Sequence, residues 1–157
     1  MVKSNSSSRL LSLNNCVILT QTDTTVGFIS QNSVTLTSIK IRSNTKPFIK
    51  VFTSLKALKQ NTIRVPNRYK TSVRLSKKST FIVKNQAFRI ATYPISSNIL
   101  RTLQWSYSTS ANESGKNFDE NYCRTKADII IEDQNNLEEK QASKLFKINN
   151  KKIKRLR

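Results

Sequence analysis

Four short stretches carry side chains suited to holding anions or small polar ligands. TQTDTTVG, Thr20 to Gly27, crowds threonines around one aspartate and ends on one of only two glycines in the chain. The hydroxyls of Thr22 and Thr24 suit hydrogen bonds to a small polar ligand, with Gly27 letting the chain turn; a Ser/Thr turn leading into a helix explains the same residues. Lys40-Ile41-Arg42, followed by Lys46 ahead of Pro47, brackets a proline turn with three cations, a pattern fit for phosphate or carboxylate groups. Cations at a helix C-terminus also answer the macrodipole, so structure alone accounts for them equally well. Arg89 interrupts the apolar run AFRIA, where a guanidinium either snorkels from an edge or reaches an anion in a cleft. Finally, YSTSAN places Ser108, Thr109, Ser110 and Asn112 behind an aromatic. Such short neutral groups bond phosphate or ribose oxygens without adding charge, although serine- and asparagine-rich loops are common.

Elements must bring these stretches together. Cys16 to Thr20 is a β-branched apolar run that reads as a buried strand. Ser33 to Ile41 has loosely helical spacing closed by Lys46-Pro47, and FIKVF, Phe48 to Phe52, reads as a strand. Thr53 or Ser54 suits the N-cap of SLKALK, and Pro66 the first turn of PNRYKTSVRL. Thr80 to Val83 and Ala87 to Ala91 form a hairpin about Lys84, Asn85 and Gln86. Ser97 or Asn98 caps ILRTL, which leads into a strand WSYSTS, and Asp119 caps a helix ending near Lys126. ADIII is a buried strand. A last apolar stretch follows at Leu145, Phe146 and Ile148. Alternating helices and strands predict a single α/β domain on a twisted mixed sheet. Ligands in such sheets collect beyond the carboxyl ends of strands, where both hydroxyl-rich loops belong.

Composition narrows the chemistry. Lys plus Arg number 28 against 9 Asp plus Glu, a formal net charge of +19 in 157 residues. Self-repulsion of that size points to an anionic partner: nucleic acid, nucleotide or an anionic membrane. The chain has no histidine and two distant cysteines, Cys16 and Cys123, which excludes the common Cys/His zinc sites and a histidine base. No window of about 18 apolar residues exists to span a membrane. Residues 1–15 form a basic, serine-rich lead-in, faintly like a transit peptide but too poor in apolar residues for a secretory signal. The expected organisation is that lead-in, a domain over 16–148 and a basic tail over 149–157, with the reduced cytoplasm as the default compartment. The closing KKIKRLR is either a solvated charged face or a contact to RNA phosphates.

The ordered set TDTxxG, KxR, KP, an arginine in a strand and SxN resembles the Sua5/YciO/YrdC family, in its short, TsaC-type form. The likeness runs from about Val17 to Ile131. It matches Thr22, Asp23, Thr24 and Gly27; Lys40 and Arg42; Lys46 and Pro47; Thr80 to Val83; Arg89; and Ser110 with Asn112. The resemblance implies a twisted, curved YrdC/RibB-like sheet around a basic concave cavity. It implies synthesis of threonylcarbamoyl-adenylate from L-threonine, bicarbonate and ATP with Mg²⁺, with release of pyrophosphate, for the t6A modification of tRNA. On this likeness Lys40, Arg42, Ser110 and Asn112 grip phosphates at the reacting centre, and Lys46, Arg89, Ser108 and Ser143 hold the nucleotide. Thr22 and Thr24 take the threonine carboxylate end, and no protein side chain holds the metal, which arrives on ATP. The implied partners are tRNA or double-stranded RNA and the other t6A-synthesis proteins, with no membrane. The alternative is a non-catalytic RNA-binding module on the same fold.

Overall fold

The computed structural model describes residues 2–4, 13–40, 47–91, 98–132 and 137–157. In chain order the strands are β1 (Val2–Ser4), β2 (Ile18–Gln21), β3 (Val26–Ser30), β4 (Ile49–Phe52), β5 (Ser79–Val83), β6 (Gln86–Ile90), β7 (Trp105–Ser110), β8 (Ile129–Ile131), β9 (Lys144–Ile148) and β10 (Ile153–Arg155). The helices are α1 (Ser33–Lys40), α2 (Leu55–Lys59), α3 (Lys70–Leu75), α4 (Asn98–Leu103) and α5 (Glu120–Lys126), with a 3-10 turn at Asn67–Tyr69. All ten strands join one mixed sheet, in the order β1-β8-β2-β3-β7-β4-β6-β5-β9-β10. The architecture is the single twisted α/β domain expected from the alternation of elements.

Local chemistry explains several boundaries. Ser54 accepts a hydrogen bond from the Ala57 amide (3.1 Å) and Asp119 from the Tyr122 amide (3.0 Å), so each satisfies an otherwise unpaired donor at a helix start. Lys84 and Asn85 both have positive φ, 47° and 63°, which matches the right-handed twist of a two-residue hairpin between β5 and β6. Gln86 therefore opens β6 and is not part of the turn. The hydroxyl-rich segment does not lead into a helix. Thr22 Oγ1 accepts from the amides of Thr24 and Thr25 (both 3.2 Å) and donates to the Thr25 carbonyl (2.6 Å), closing a tight turn that sends the chain straight back as β3.

Residues paired in register share a face, and alternate residues along a strand oppose one another. One face carries Leu19, Phe28, Phe52, Phe81 and Phe88, all fully buried. Leu36 of α1 and Cys123 of α5 pack on Leu19 and Phe28, while Leu58 of α2 and Val73 of α3 pack on the phenylalanines of β4 to β6. The opposite face is polar at its centre. Thr20, Gly27 and Ser110 stand side by side across β2, β3 and β7, Ser106 and Ser108 continue along β7, and Arg89 is reached through Val51. Only toward the β8 end does this face become apolar, where Ile18, Ile29, Ile129 and Ile131 meet Leu103 of α4.

Gly27 is not used for a turn. It lies inside β3, and a Cβ there would sit 3.1 Å from the Thr109 carbonyl oxygen and 3.2 Å from Thr22 Cγ2. Because the carbonyl belongs to the adjoining β7, it cannot yield cheaply. Gly27→Ala is expected to destabilise the fold by about 1–3 kcal/mol through overpacking, read as a lower urea midpoint. An unchanged midpoint would show that β7 accommodates the methyl group.

Candidate functional site

Two polar clusters flank the central polar strip. The first lies at the carboxyl end of β7. Lys40, the last residue of α1, is buried, and its Nζ donates to both the backbone carbonyl (2.7 Å) and the side-chain Oδ1 (2.6 Å) of Asn112. Ser110 Oγ donates to the same Oδ1 (2.7 Å), and Asn112 Nδ2 donates to the Lys116 carbonyl (2.5 Å). Every polar atom of the asparagine side chain is engaged. A buried ammonium is costly unless hydrogen-bonded, and here two oxygens of one residue meet it. Lys40, Ser110 and Asn112, separated by about seventy residues of chain, therefore converge. Arg42 and Lys46 lie outside the described residues, as does the proposed cap Ser97.

The second cluster surrounds Arg89. Its Nη1 donates to Asp23 Oδ1 (2.6 Å) and Thr24 Oγ1 (2.8 Å), and its Nε and Nη2 approach Thr80 Oγ1 at 3.4 and 3.3 Å. Thr80 Oγ1 also bonds Ser143 Oγ at 2.8 Å. The guanidinium does not snorkel: the Arg89 and Asp23 side chains are 9% and 7% exposed. Asp23 Oδ2 is buried without a hydrogen-bond partner among the described residues. Thr24 and Ser143 thus join Arg89, while the Thr22 hydroxyl is occupied by its own turn. Ser108 is half-buried, with Oγ 3.6 Å from the position of a Cβ on Gly27, so it stands on the polar strip beside that glycine.

Asp23 and Thr80 belong to the site as much as the residues singled out from their chemistry. The sequence signal for Asp23 is a lone acid among threonines, and for Thr80 its place opening a strand whose hairpin partner carries the arginine. Cys123 is no nucleophile. Burial raises its thiol to about 11, leaving almost no thiolate near neutrality. Among the described residues no three His, Cys, Asp or Glu side chains group to hold a metal ion. No described helix is long and apolar enough to cross a membrane. The arrangement offers a fixed ammonium beside short neutral donors, and a fixed guanidinium among hydroxyls, on one strip of sheet.

No protein-family model matches the chain, and no curated protein matches it either. Solved structures do. Two structures of Sua5 from P. abyssi, one complexed with L-threonine, align over 90% of this chain at 16% identity with TM-scores of 0.74 and 0.71. E. coli YciO aligns over 91% of the chain and 82% of its own at 16% identity, TM-score 0.70. Full-length HypF in a phosphate- and nucleotide-bound form aligns with all of this chain and 25% of its own at 14% identity, TM-score 0.72. The chain spans about half the length of the Sua5 structures. It therefore folds as a YrdC-like domain, the fold it shares with Sua5 and YciO.

Proposed function

We propose that this chain belongs to the Sua5/YciO/YrdC family and makes threonylcarbamoyl-adenylate from L-threonine, bicarbonate and ATP for the t6A modification of tRNA. The observation that carries this reading is the junction of Lys40 with Ser110 and Asn112, because a surface that merely attracts anions has no need to bury a lysine and seat it on one asparagine. Both P. abyssi Sua5, complexed with L-threonine, and full-length HypF, in a phosphate- and nucleotide-bound form, contain a region that aligns with this chain, which supports both kinds of ligand.

The chemistry needs no protein nucleophile. Threonine carboxylated on nitrogen attacks the α-phosphorus through its carbamate oxygen. The new P–O bond forms as the bond to the β-phosphate breaks, and pyrophosphate leaves with the displaced electron pair. The protein's task is to hold the dianion in line and to meet charge as it develops. Lys40 meets the phosphates, a role the resemblance also gives to Arg42 and Lys46, while Ser110, Asn112 and Ser108 orient the phosphate chain and ribose. Mg²⁺ carried by ATP would supply further neutralisation of phosphate charge. Arg89, aligned by Asp23, Thr80 and Ser143, lies on the nucleotide side, and Thr24 takes the threonine end. Thr22 shapes the loop that presents Thr24. The implied basic concavity would lie over the polar strip of the sheet.

Pyrophosphate release should require threonine, bicarbonate and ATP together and should fall to background when any one is omitted. Release independent of threonine, or equal with serine, would defeat the proposal.

A further inference from the structure

The helix-bearing face of the sheet is not covered evenly. Leu36 of α1 and Cys123 of α5 share one buried cluster with Leu19 and Phe28, whereas Leu58 of α2 and Val73 of α3 share another with Phe52, Phe81 and Phe88; the two clusters have no residue in common. Neighbouring strands β7 and β4 run between them. On this face Tyr107 stands beside Lys50 and Trp105 beside Phe52. Tyr107 and Phe48 pack against the first cluster and Trp105 against the second. All three rings and Lys50 are only half-buried, so the seam between the helix pairs still reaches solvent.

Its side chains hold one another in place. The Trp105 and Tyr107 rings meet edge to face at 87°, their centroids 5.3 Å apart, and Phe48 lies 6.3 Å from Tyr107. Lys50 Nζ sits over both of the larger rings, 5.1 Å from the Trp105 centroid and 5.5 Å from that of Tyr107, within the range of cation–π attraction. The rings fix the ammonium but give its N–H groups no oxygen to bond. Among the described residues no carboxylate forms an ion pair with Lys50, and residues 24–112 contain no acid at all.

We propose that this seam docks an acidic segment of a partner protein, one that sets a carboxylate on Lys50 and apolar side chains on Phe48, Tyr107 and Trp105. Charge complementarity selects the acid. The ammonium is held in place beside apolar rings, where a charge-assisted hydrogen bond is stronger than in open water, and the surrounding chain supplies no counter-charge. A lipid surface fits poorly, because the floor of the seam lies beneath helices about 10 Å thick on either side, which a flat bilayer does not enter. A stacked nucleobase fits poorly too, since it needs an open ring face and Lys50 already covers both larger rings. The seam is on the reverse of the sheet from the polar strip: Lys50 and Tyr107 alternate along their strands with Val51 and Ser108, which share the face of Arg89 and Ser110. The inference does not rest on the proposed catalysis.

Trp105 is the chain's single tryptophan, so its fluorescence reads the seam directly. The whole chain is titrated with a short peptide alternating Glu with Leu and Phe, and with the analogue carrying Gln in place of Glu. The acidic peptide should shift Trp105 emission saturably, and the Gln analogue should bind at least about tenfold more weakly, the effect of losing one hydrogen bond to a charged group. Lys50→Gln should weaken the acidic peptide by a similar factor, and Lys50→Arg, which keeps the cation over the rings, should restore it. Lys147→Gln, an equal change of charge at an exposed site on β9, should alter affinity by less than about twofold. No saturable shift with the acidic peptide, equal binding of the two peptides, or equal effects of Lys50→Gln and Lys147→Gln would overturn the proposal. A Lys50-dependent response to single-stranded RNA or to phosphatidylserine vesicles, with none to the acidic peptide, would overturn it in favour of those partners.

Discussion

Asn112→Ala is expected to reduce threonine-dependent pyrophosphate release by on the order of a hundredfold or more, the usual effect of removing one preorganised group that meets developing charge. The net charge is unchanged, so the loss cannot be ascribed to weaker attraction of ATP at long range. The structure adds a second consequence. Asn112 Oδ1 accepts from both Lys40 and Ser110, and its amide donates to Lys116. Removing the side chain deprives buried Lys40 of the Oδ1 acceptor at 2.6 Å, at about 1–3 kcal/mol in stability. The variant should therefore melt below the parent, yet remain folded at assay temperature. Ser110→Ala removes one donor to the same oxygen and leaves the lysine contact in place, so it should fall between parent and Asn112→Ala in both readouts. Parental turnover by folded Asn112→Ala would remove this residue from the catalytic assignment.

Asp23→Ala should give the largest loss of stability. The Asp23–Arg89 pair is almost wholly buried, and removing the acid leaves a guanidinium in the interior with only hydroxyls beside it among the described residues. Breaking such a pair from one side costs about 3–5 kcal/mol. By contrast, Glu113→Ala breaks an ion pair whose partners are 68% and 39% exposed, and surface pairs of this kind contribute about 0–1 kcal/mol. Urea titration of both variants checks the difference. Asp23→Asn, which keeps an acceptor for Arg89 but no charge, should lie between them. A loss below about 1 kcal/mol for Asp23→Ala would mean that water relaxes around Arg89.

What was legible in the sequence was mostly local. Ser54 and Asp119 act as N-caps because a cap bonds an amide three residues on, and that distance is visible in the letters. The hairpin at Lys84-Asn85 is equally local. β3 was not legible, because VGFIS is short, contains a glycine and follows a segment that reads as a loop; the Thr22 turn that reverses the chain depends on which backbone groups its hydroxyl meets. β9 showed only as an apolar stretch, since its partner β5 is more than sixty residues away and parallel pairing leaves no turn signature. The same separation hid the role of Asp23. Types and order singled out Lys40, Arg89, Ser110 and Asn112, but which acid answers Arg89, and that Asn112 itself seats Lys40, are long-range facts.

The central claim is that the Lys40–Ser110–Asn112 junction serves synthesis of an adenylate. Its most direct measurement is mass spectrometry of the product formed from ATP, L-threonine and ¹³C-bicarbonate by the parent and by Asn112→Ala at matched folded concentration. The parent should yield threonylcarbamoyl-adenylate carrying the label in its carbamoyl carbon, and the variant about one-hundredth as much or less. No labelled adenylate from the folded parent, or equal amounts from both, would contradict the account.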